Sequence, residues 1–85
     1  MANVEIYLTT HCPYCIRARR LLDNKGISYD VVDVGADREL WRQMMQRSQR
    51  RTVPQVFIDE VAVGGFDDLV QLEREGRLDA LLGLE

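Results

Sequence analysis

Residues 4–15 read Val4-Glu5-Ile6-Tyr7-Leu8-Thr9-Thr10-His11-Cys12-Pro13-Tyr14-Cys15, so an apolar run leads directly into the only two cysteines of the chain. The apolar and β-branched content of residues 4–8 predicts a β-strand. Pro13 suits the first position of a helix, where its missing N–H is not needed. Unpaired N–H groups and the positive end of the helix dipole lie there, and they favour the nucleophilic thiolate form of a cysteine. The segment therefore predicts a redox-active Cys12 at a strand-to-helix junction.

The spacing of the two cysteines suits a disulfide that opens and closes. Residues three apart on a helix have Cβ atoms about 5–6 Å apart, whereas a relaxed disulfide needs about 3.5–4.5 Å. Closing the bond therefore requires a local adjustment. Cys15 shares an apolar helical face with Ala18 and Leu22, while Cys12 lies at the helix tip. We predict that Cys12 is the attacking thiolate and that Cys15 is the buried resolving thiol.

Three other interpretations of the cysteine pair remain open. A structural disulfide normally closes a longer loop and accompanies others in small secreted domains. A structural zinc site needs four ligands, but His11, Cys12 and Cys15 are the only histidine and cysteines in the sequence. Two inert core cysteines would make the Pro13 and strand-to-helix context accidental. We predict a redox pair and no metal site.

Length and charge bound the class of protein. The chain has 85 residues and a net charge of −3, and we expect one domain over residues 1–85. No apolar run approaches the ~20 residues that a membrane span requires. Residues 1–5 lead straight into the strand pattern and lack the regions of a signal peptide, so we expect a cytoplasmic protein. The negative charge argues against general binding to nucleic acid or membranes.

The hydrophobic pattern predicts the element order β-α-β-α-β-β-α-α. Strands are predicted at residues 4–8, 27–34, 54–58 and 61–63. Four helices are predicted, the first over residues 13–25 with Tyr14 on its apolar face. The second follows a cap at Asp37, the third follows a cap at Asp67 or Asp68, and the fourth lies around residues 78–82. The βαβ opening implies two parallel strands, and the last two strands form a hairpin. The sequence therefore predicts an α/β fold with a four-stranded mixed sheet flanked by helices.

Three short motifs together resemble a known family. Cys12-Pro13-Tyr14-Cys15 resembles the active site of dithiol glutaredoxins. Thr52-Val53-Pro54 is similar to their TVP segment, and Gly64-Gly65-Phe66-Asp67-Asp68 is similar to their GG-x-D-D segment. The motifs occur in the family's order and spacing, and the resemblance to the short bacterial members covers essentially the whole chain. It implies a thioredoxin fold, two catalytic cysteines and thiol–disulfide exchange.

The resemblance also implies how glutathione binds as a co-substrate. The peptide would lie along Thr52, Val53 and Pro54, with Pro54 in the cis form and the Val53 N–H and C=O open to strand-like pairing. The alternative is that Pro54 has only a structural role at the start of a strand. Tyr14 would flank the bound thiol, or would simply pack against the protein.

The γ-glutamyl end of glutathione would lie at Gly65, Phe66, Asp67 and Asp68. Helix-start amides suit its carboxylate there, and an aspartate side chain suits its ammonium. The alternative role for Asp67 and Asp68 is plain helix capping.

Two positions depart from the family pattern. The family usually has a lysine where this chain has Thr9, and that lysine contributes positive charge toward the glycyl carboxylate of glutathione. Arg51 or a charged His11 would have to compensate for it. His11 could equally be a solvated loop residue.

The resemblance implies a glutathione-dependent oxidoreductase that reduces protein–glutathione mixed disulfides and protein disulfides, as a monomer without a bound cofactor. An alternative is a glutaredoxin-like protein that thioredoxin reductase reduces directly. A further alternative is an iron–sulfur scaffold bridged by glutathione. Pro13 argues against the scaffold, since cluster-holding relatives usually place a small, flexible residue there.

Overall fold

The computed structural model describes residues 2–84, and its elements follow the predicted order. The strands are β1 (Val4–Leu8), β2 (Asp30–Asp33), β3 (Gln55–Ile58) and β4 (Val61–Gly64). The helices are α1 (Pro13–Asn24), α2 (Arg38–Ser48), α3 (Phe66–Arg74) and α4 (Leu78–Leu81). Within residues 2–84, no helix is both long enough and apolar enough to cross a bilayer.

The four strands form one mixed sheet in the order β2-β1-β3-β4. β1 runs parallel to β2 and antiparallel to β3, and β3 and β4 form an antiparallel hairpin. Tyr7 near the end of β1 lies opposite Gln55 at the start of β3. The loop that follows β1 and the loop that precedes β3 therefore lie at the same end of the sheet. This pairing brings Cys12 beside residues 52–54.

The sheet separates two apolar clusters, as strand alternation requires. Ile6 and Val56 belong to the larger cluster with Leu22 of α1 and Leu69 of α3. The smaller cluster contains Tyr7, Val34, Met44 and Phe57, so α2 covers that side. The expected mixed sheet with helices on both faces is confirmed.

The second strand is shorter than predicted. The sequence predicts a strand over residues 27–34, but β2 spans only Asp30–Asp33. β2 is an edge strand whose only partner is β1, and the pairing starts with Glu5 opposite Asp30. In this register Tyr29 would lie opposite Val4 but is not part of the ladder, and residues 27 and 28 would extend past the start of β1. Ile27 and Tyr29 instead pack partly buried against the larger cluster.

The third helix begins before the predicted cap. The N-cap is Gly65, not Asp67 or Asp68, and Asp68 occupies the third helical position. The Asp68 carboxylate reaches back and accepts a hydrogen bond from the Gly65 N–H at 2.8 Å. Gly64 has φ +122°, and a Cβ there would collide with the same carboxylate. The two glycines therefore let the chain turn tightly around Asp68.

Candidate active site

Cys12 is the N-cap residue of α1, as the sequence predicts. Its backbone is extended, at φ −93° and ψ 116°, and Pro13 begins the helix. The Cys12 Sγ accepts a hydrogen bond from the Cys15 N–H at 3.3 Å. The Cys12 carbonyl accepts the first helical bond, from the Ile16 N–H at 3.1 Å. The sulfur therefore lies against the helix-start amides, which stabilise negative charge on it.

The two thiols differ in exposure. Cys15 is 1% exposed and shares its buried helical face with Ala18 and Leu22. Cys12 is half-buried, and neither cysteine forms a disulfide. Burial, followed by the contact with Cys12, raises the pKa of the Cys15 thiol to about 12. Cys15 is therefore a neutral thiol near pH 7, held beside a more accessible sulfur.

Residues 52–54 form the wall opposite Cys12. The peptide bond between Val53 and Pro54 is cis, as the resemblance implies. The Val53 carbonyl oxygen lies 3.8 Å from the Cys12 Sγ, which donates to it. This contact uses one of the two lone pairs of the oxygen, so the pairing of the Val53 N–H and C=O with a peptide stays a prediction. Thr52 is exposed and Val53 is half-buried.

Gln55 is a site residue that the sequence analysis missed. Its side chain is 1% exposed, and its Nε2 donates to the Thr52 carbonyl at 2.9 Å and to the Thr52 Oγ1 at 3.2 Å. Gln55 is the only polar residue in a strand whose four residues are all buried, and that was the available signal. Its side chain fixes the residue that precedes Val53.

The segment at the start of α3 forms the next part of the wall. Gly65 approaches Pro54 so closely that a Cβ on it would lie 3.2 Å from the Pro54 carbonyl oxygen. Phe66 is half-buried and Asp67 is exposed. The Tyr14 ring lies 6.4 Å from the Phe66 ring, which connects the starts of α1 and α3.

Asp68 is engaged by two partners rather than left open. Its Oδ2 accepts from the Gly65 N–H and forms an ion pair with Arg50 Nη1 at 2.6 Å. Burial of the carboxyl group opposes its ionisation, but these two hydrogen bonds outweigh burial and hold the pKa of Asp68 below its ordinary value. Arg50 was not predicted as a site residue. A run of arginines in sequence does not show which of them reaches α3.

The remaining predicted residues lie around this cleft. Tyr14 is 52% exposed, so its expected place on the apolar face of α1 is wrong, and Arg17 lies over its ring at 5.4 Å. Arg51 and His11 are exposed, and neither side chain has a hydrogen bond or an ion pair within residues 2–84. Thr9 is half-buried next to Gly35.

The arrangement combines a nucleophilic sulfur, a buried second thiol within reach, and a cleft with polar main chain on one wall. These are the parts that thiol–disulfide exchange requires, because a thiolate must attack one sulfur of a disulfide and a second thiol can then release the product. The fold and this site define a thiol–disulfide oxidoreductase with a thioredoxin fold.

Comparison with known proteins identifies the family. The glutaredoxin family model matches residues 4–63, and the chain belongs to the glutaredoxin family. It is 49% identical over 82 residues to Glutaredoxin 3 of Escherichia coli K12, covering 96% of this chain and 99% of that protein.

Solved structures agree with this assignment. The solution structure of a glutaredoxin from Brucella melitensis superposes with a TM-score of 0.87 at 50% identity, covering 99% of this chain and 91% of that one. The crystal structure of a buckwheat glutaredoxin–glutathione complex superposes with a TM-score of 0.89 at 28% identity, covering 96% of this chain and 77% of that one.

Proposed function

We propose that this glutaredoxin reduces protein–glutathione mixed disulfides and protein disulfides, with glutathione as the electron donor. The observation that carries the proposal is the position of the Cys12 Sγ, at the cap of α1 and 3.8 Å from the Val53 carbonyl oxygen. The buckwheat glutaredoxin of similar fold was crystallised as a complex with glutathione. Glutaredoxins as a class have reduction potentials of about −200 to −230 mV, so the cytosolic glutathione pool can reduce them.

The mixed-disulfide reaction uses Cys12 alone. The Cys12 thiolate attacks the glutathione sulfur, a new sulfur–sulfur bond forms, and the protein thiolate leaves and takes up a proton. Cys12 now carries glutathione. The thiolate of a second glutathione attacks that glutathione sulfur, so glutathione disulfide leaves and the Cys12 thiolate returns. The helix-start amides stabilise the charge on Cys12 as the attacking and as the leaving group.

Protein disulfides require both cysteines. Cys12 attacks one sulfur and forms a mixed disulfide with the protein, while the other protein sulfur leaves as a thiolate and takes up a proton. Cys15 then attacks the Cys12 sulfur, so that a Cys12–Cys15 disulfide forms and the reduced protein leaves. Two glutathione molecules reduce that disulfide in turn and leave as glutathione disulfide. The proton of Cys15 passes to the departing protein thiolate. Cys15 is buried and its pKa is raised to about 12, so it acts only after Cys12 has positioned the target disulfide.

The binding roles that we propose follow the walls of the cleft. The peptide of glutathione pairs with residues 52–54 through the Val53 N–H and C=O. Tyr14, which is exposed beside Phe66, flanks the bound thiol. The γ-glutamyl end lies at Gly65, Phe66, Asp67 and Asp68, and Arg51 faces the glycyl carboxylate.

The wider setting is also part of the proposal. The protein acts as a single-domain monomer in the cytoplasm, where glutathione keeps thiols reduced. Its partners are glutathione and proteins that carry disulfides or glutathione adducts. It needs no resident cofactor, and nucleic acids and membranes are not among its partners.

Two cysteine variants test the mechanism. Cys12→Ser should abolish the reduction of both a glutathionylated protein and a protein disulfide. Cys15→Ser should keep the first activity and lose most of the second. Loss of deglutathionylation in Cys15→Ser would refute the route through Cys12 alone. Assays with glutathione replaced by thioredoxin reductase and NADPH identify the donor, and full activity with that reductase would refute the glutathione-dependent assignment.

A further inference from the structure

The outward face of α1 beside the active site is cationic, although the chain as a whole is anionic. Residues 9–22 contain three arginines and no acidic residue, whereas the chain has a net charge of −3. Arg17, Arg19 and Arg20 are all exposed, and the first turn of the helix carries no acid. Positive charge is therefore concentrated next to the nucleophile Cys12, where its sign is opposite to that of the net charge.

Two of these arginines have no acidic partner in the fold. Within residues 2–84, the side chains of Arg17 and Arg20 form no hydrogen bond and no ion pair, and Arg17 lies over the Tyr14 ring at 5.4 Å. Asp23 is the first acid that follows them along the helix, and it accepts a hydrogen bond from the Tyr29 hydroxyl at 2.7 Å. Both guanidinium groups are therefore open to an external anion.

Exposed apolar surface accompanies the cations. Ile16 is 50% exposed, one turn after Cys12. It lines a shallow groove on the outer face of α1 with Arg19, Arg20 and Asp23. In the proposed function glutathione occupies the opposite walls of the cleft, so this face is left for the protein that carries the target sulfur. Cationic groups around an exposed apolar side chain suit an acidic protein segment.

We propose that the outer face of α1 binds an acidic segment of the target protein, and that Arg17 and Arg20 select targets with carboxylates near the reactive cysteine; this inference rests on the proposed function. A helix rises about 1.5 Å per residue, so Arg17 and Arg20 lie about 8 and 12 Å along the axis from Cys12. An extended chain advances about 3.3 Å per residue. Carboxylates about two and four residues from the target cysteine therefore lie beside the two guanidinium groups.

The test measures kcat and KM on three glutathionylated peptides that differ only in charge. Each peptide has a single cysteine, and the residues two and four positions from it on either side are all Asp, all Asn or all Lys. The mixed disulfide of glutathione and 2-mercaptoethanol is the substrate without a docking segment. Wild type, Arg17→Gln and Arg20→Glu are compared with Arg74→Glu, which changes the net charge as Arg20→Glu does, at an exposed position in the last turn of α3.

We expect wild type at low salt to prefer the Asp peptide over the Asn peptide about two- to fivefold in kcat/KM, because each exposed charge pair contributes modestly. The Lys peptide should be the poorest of the three. The preference should lie in KM and should shrink at 1 M salt, where the screening length is about 3 Å. Arg17→Gln should lower the preference, Arg20→Glu should abolish it, and Arg74→Glu should keep it.

Each other outcome would refute the inference. Equal kcat/KM of wild type on the three peptides, with the 2-mercaptoethanol disulfide reduced, would do so and leave the proposed function intact. An unchanged preference in both Arg17→Gln and Arg20→Glu would show that these side chains do not contact the target. Equal losses in Arg20→Glu and Arg74→Glu would attribute the preference to overall charge. If wild type reduced no glutathione mixed disulfide at all, the proposed function would fail and this inference with it.

Discussion

The chemistry of the site depends on how differently two nearby sulfurs are placed. Cys12 lies at a helix cap, where its sulfur accepts an amide N–H, and Cys15 lies one turn further on a buried face. A helix-start N–H can stabilise charge on an attacking or leaving sulfur, whereas burial favours the neutral thiol of Cys15. A single short motif therefore supplies a nucleophile and a reserve thiol that stays protonated until it is needed.

Alkylation should separate the two cysteines. Because burial raises the pKa of Cys15 to about 12, iodoacetamide at pH 8 should modify Cys12 and leave Cys15 untouched in the reduced, folded protein. Mass spectrometry should show one adduct, located on Cys12 by peptide mapping. The same reaction in strong denaturant should give two adducts. Equal rates of modification in the folded protein would contradict the buried placement of Cys15.

Gln55 should act on binding more than on stability. Gln55→Met removes the bonds from Nε2 to Thr52, but it also removes Oε1, which is buried without a hydrogen-bond partner among residues 2–84. Because these effects oppose each other, we expect the free energy of unfolding to fall by only about 1 kcal/mol. KM for a glutathione mixed disulfide should rise severalfold, since Thr52 and Val53 lose their fixed position.

The matched control for Gln55 is Gln43→Met, at an exposed position of α2. It should change neither the unfolding free energy nor KM. An unchanged KM in Gln55→Met, measured beside a normal rate of Cys12 alkylation, would show that Gln55 does not position the substrate.

At the scale of elements, local patterns predict the order well and the ends less well. Helix α1 ends within one residue of the predicted stop, because Pro13 and Gly26 are local signals. The end of β2 depends on the length of β1, and the start of α3 depends on a carboxylate that reaches back to Gly65. Local motifs were enough to name the cysteines and the residues of the TVP and GG-x-D-D segments. Arg50 and Gln55 could be recognised only from contacts that form in the folded structure.

The start of α3 should be sensitive to acid through Asp68. Contacts with Arg50 and Gly65 hold the pKa of Asp68 below its ordinary value of 3.8, so the folded state favours the carboxylate. The stabilisation is therefore complete above pH 3.8 and is lost as the pH falls through the lower folded value. Asp68→Asn should lower the unfolding temperature at pH 6, and the gap to wild type should close in stronger acid.

Asp67→Asn is the control for this helix-start effect, since Asp67 is exposed in the same turn and its side chain has no hydrogen bond or ion pair within residues 2–84. Unfolding curves recorded by circular dichroism from pH 2 to 7 should show a smaller gap for Asp67→Asn. A gap for Asp68→Asn that stayed constant across this range would mean that its charge does not stabilise α3.

Across the whole molecule, the fold brings together, at one end of the sheet, segments that are far apart in sequence. Cys12 follows β1, residues 52–54 precede β3, and Gly65 follows β4. α4 lies at the other end of the sheet, where Leu81 lines a groove with Ile58 and Val61. The family resemblance implies this gathering, because it places one glutathione molecule against Cys12, residues 52–54 and the start of α3. Side-chain contacts between these segments depend on packing that no local sequence pattern encodes.

The distribution of charge leads to the last prediction. The chain carries a net charge of −3, and Thr9 stands at the position beside the active-site turn where the family resemblance implies a lysine. Thr9→Lys should lower KM for an anionic glutathione mixed disulfide by a few-fold at low salt, because an exposed charge contributes about 0.2–1 kcal/mol. The gain should shrink at 1 M salt, where the screening length is about 3 Å.

Ala80→Lys is the matched control for Thr9→Lys, because it changes the net charge equally at an exposed position of α4, at the other end of the sheet. If the effect is local to the site, Ala80→Lys should leave KM unchanged at both salt concentrations, since charges beyond a screening length interact weakly in solution. Equal decreases in KM for both variants would instead attribute the gain to overall charge and long-range attraction. If KM did not decrease in Thr9→Lys, the proposed position of the glycyl carboxylate on this side of the cleft would be wrong.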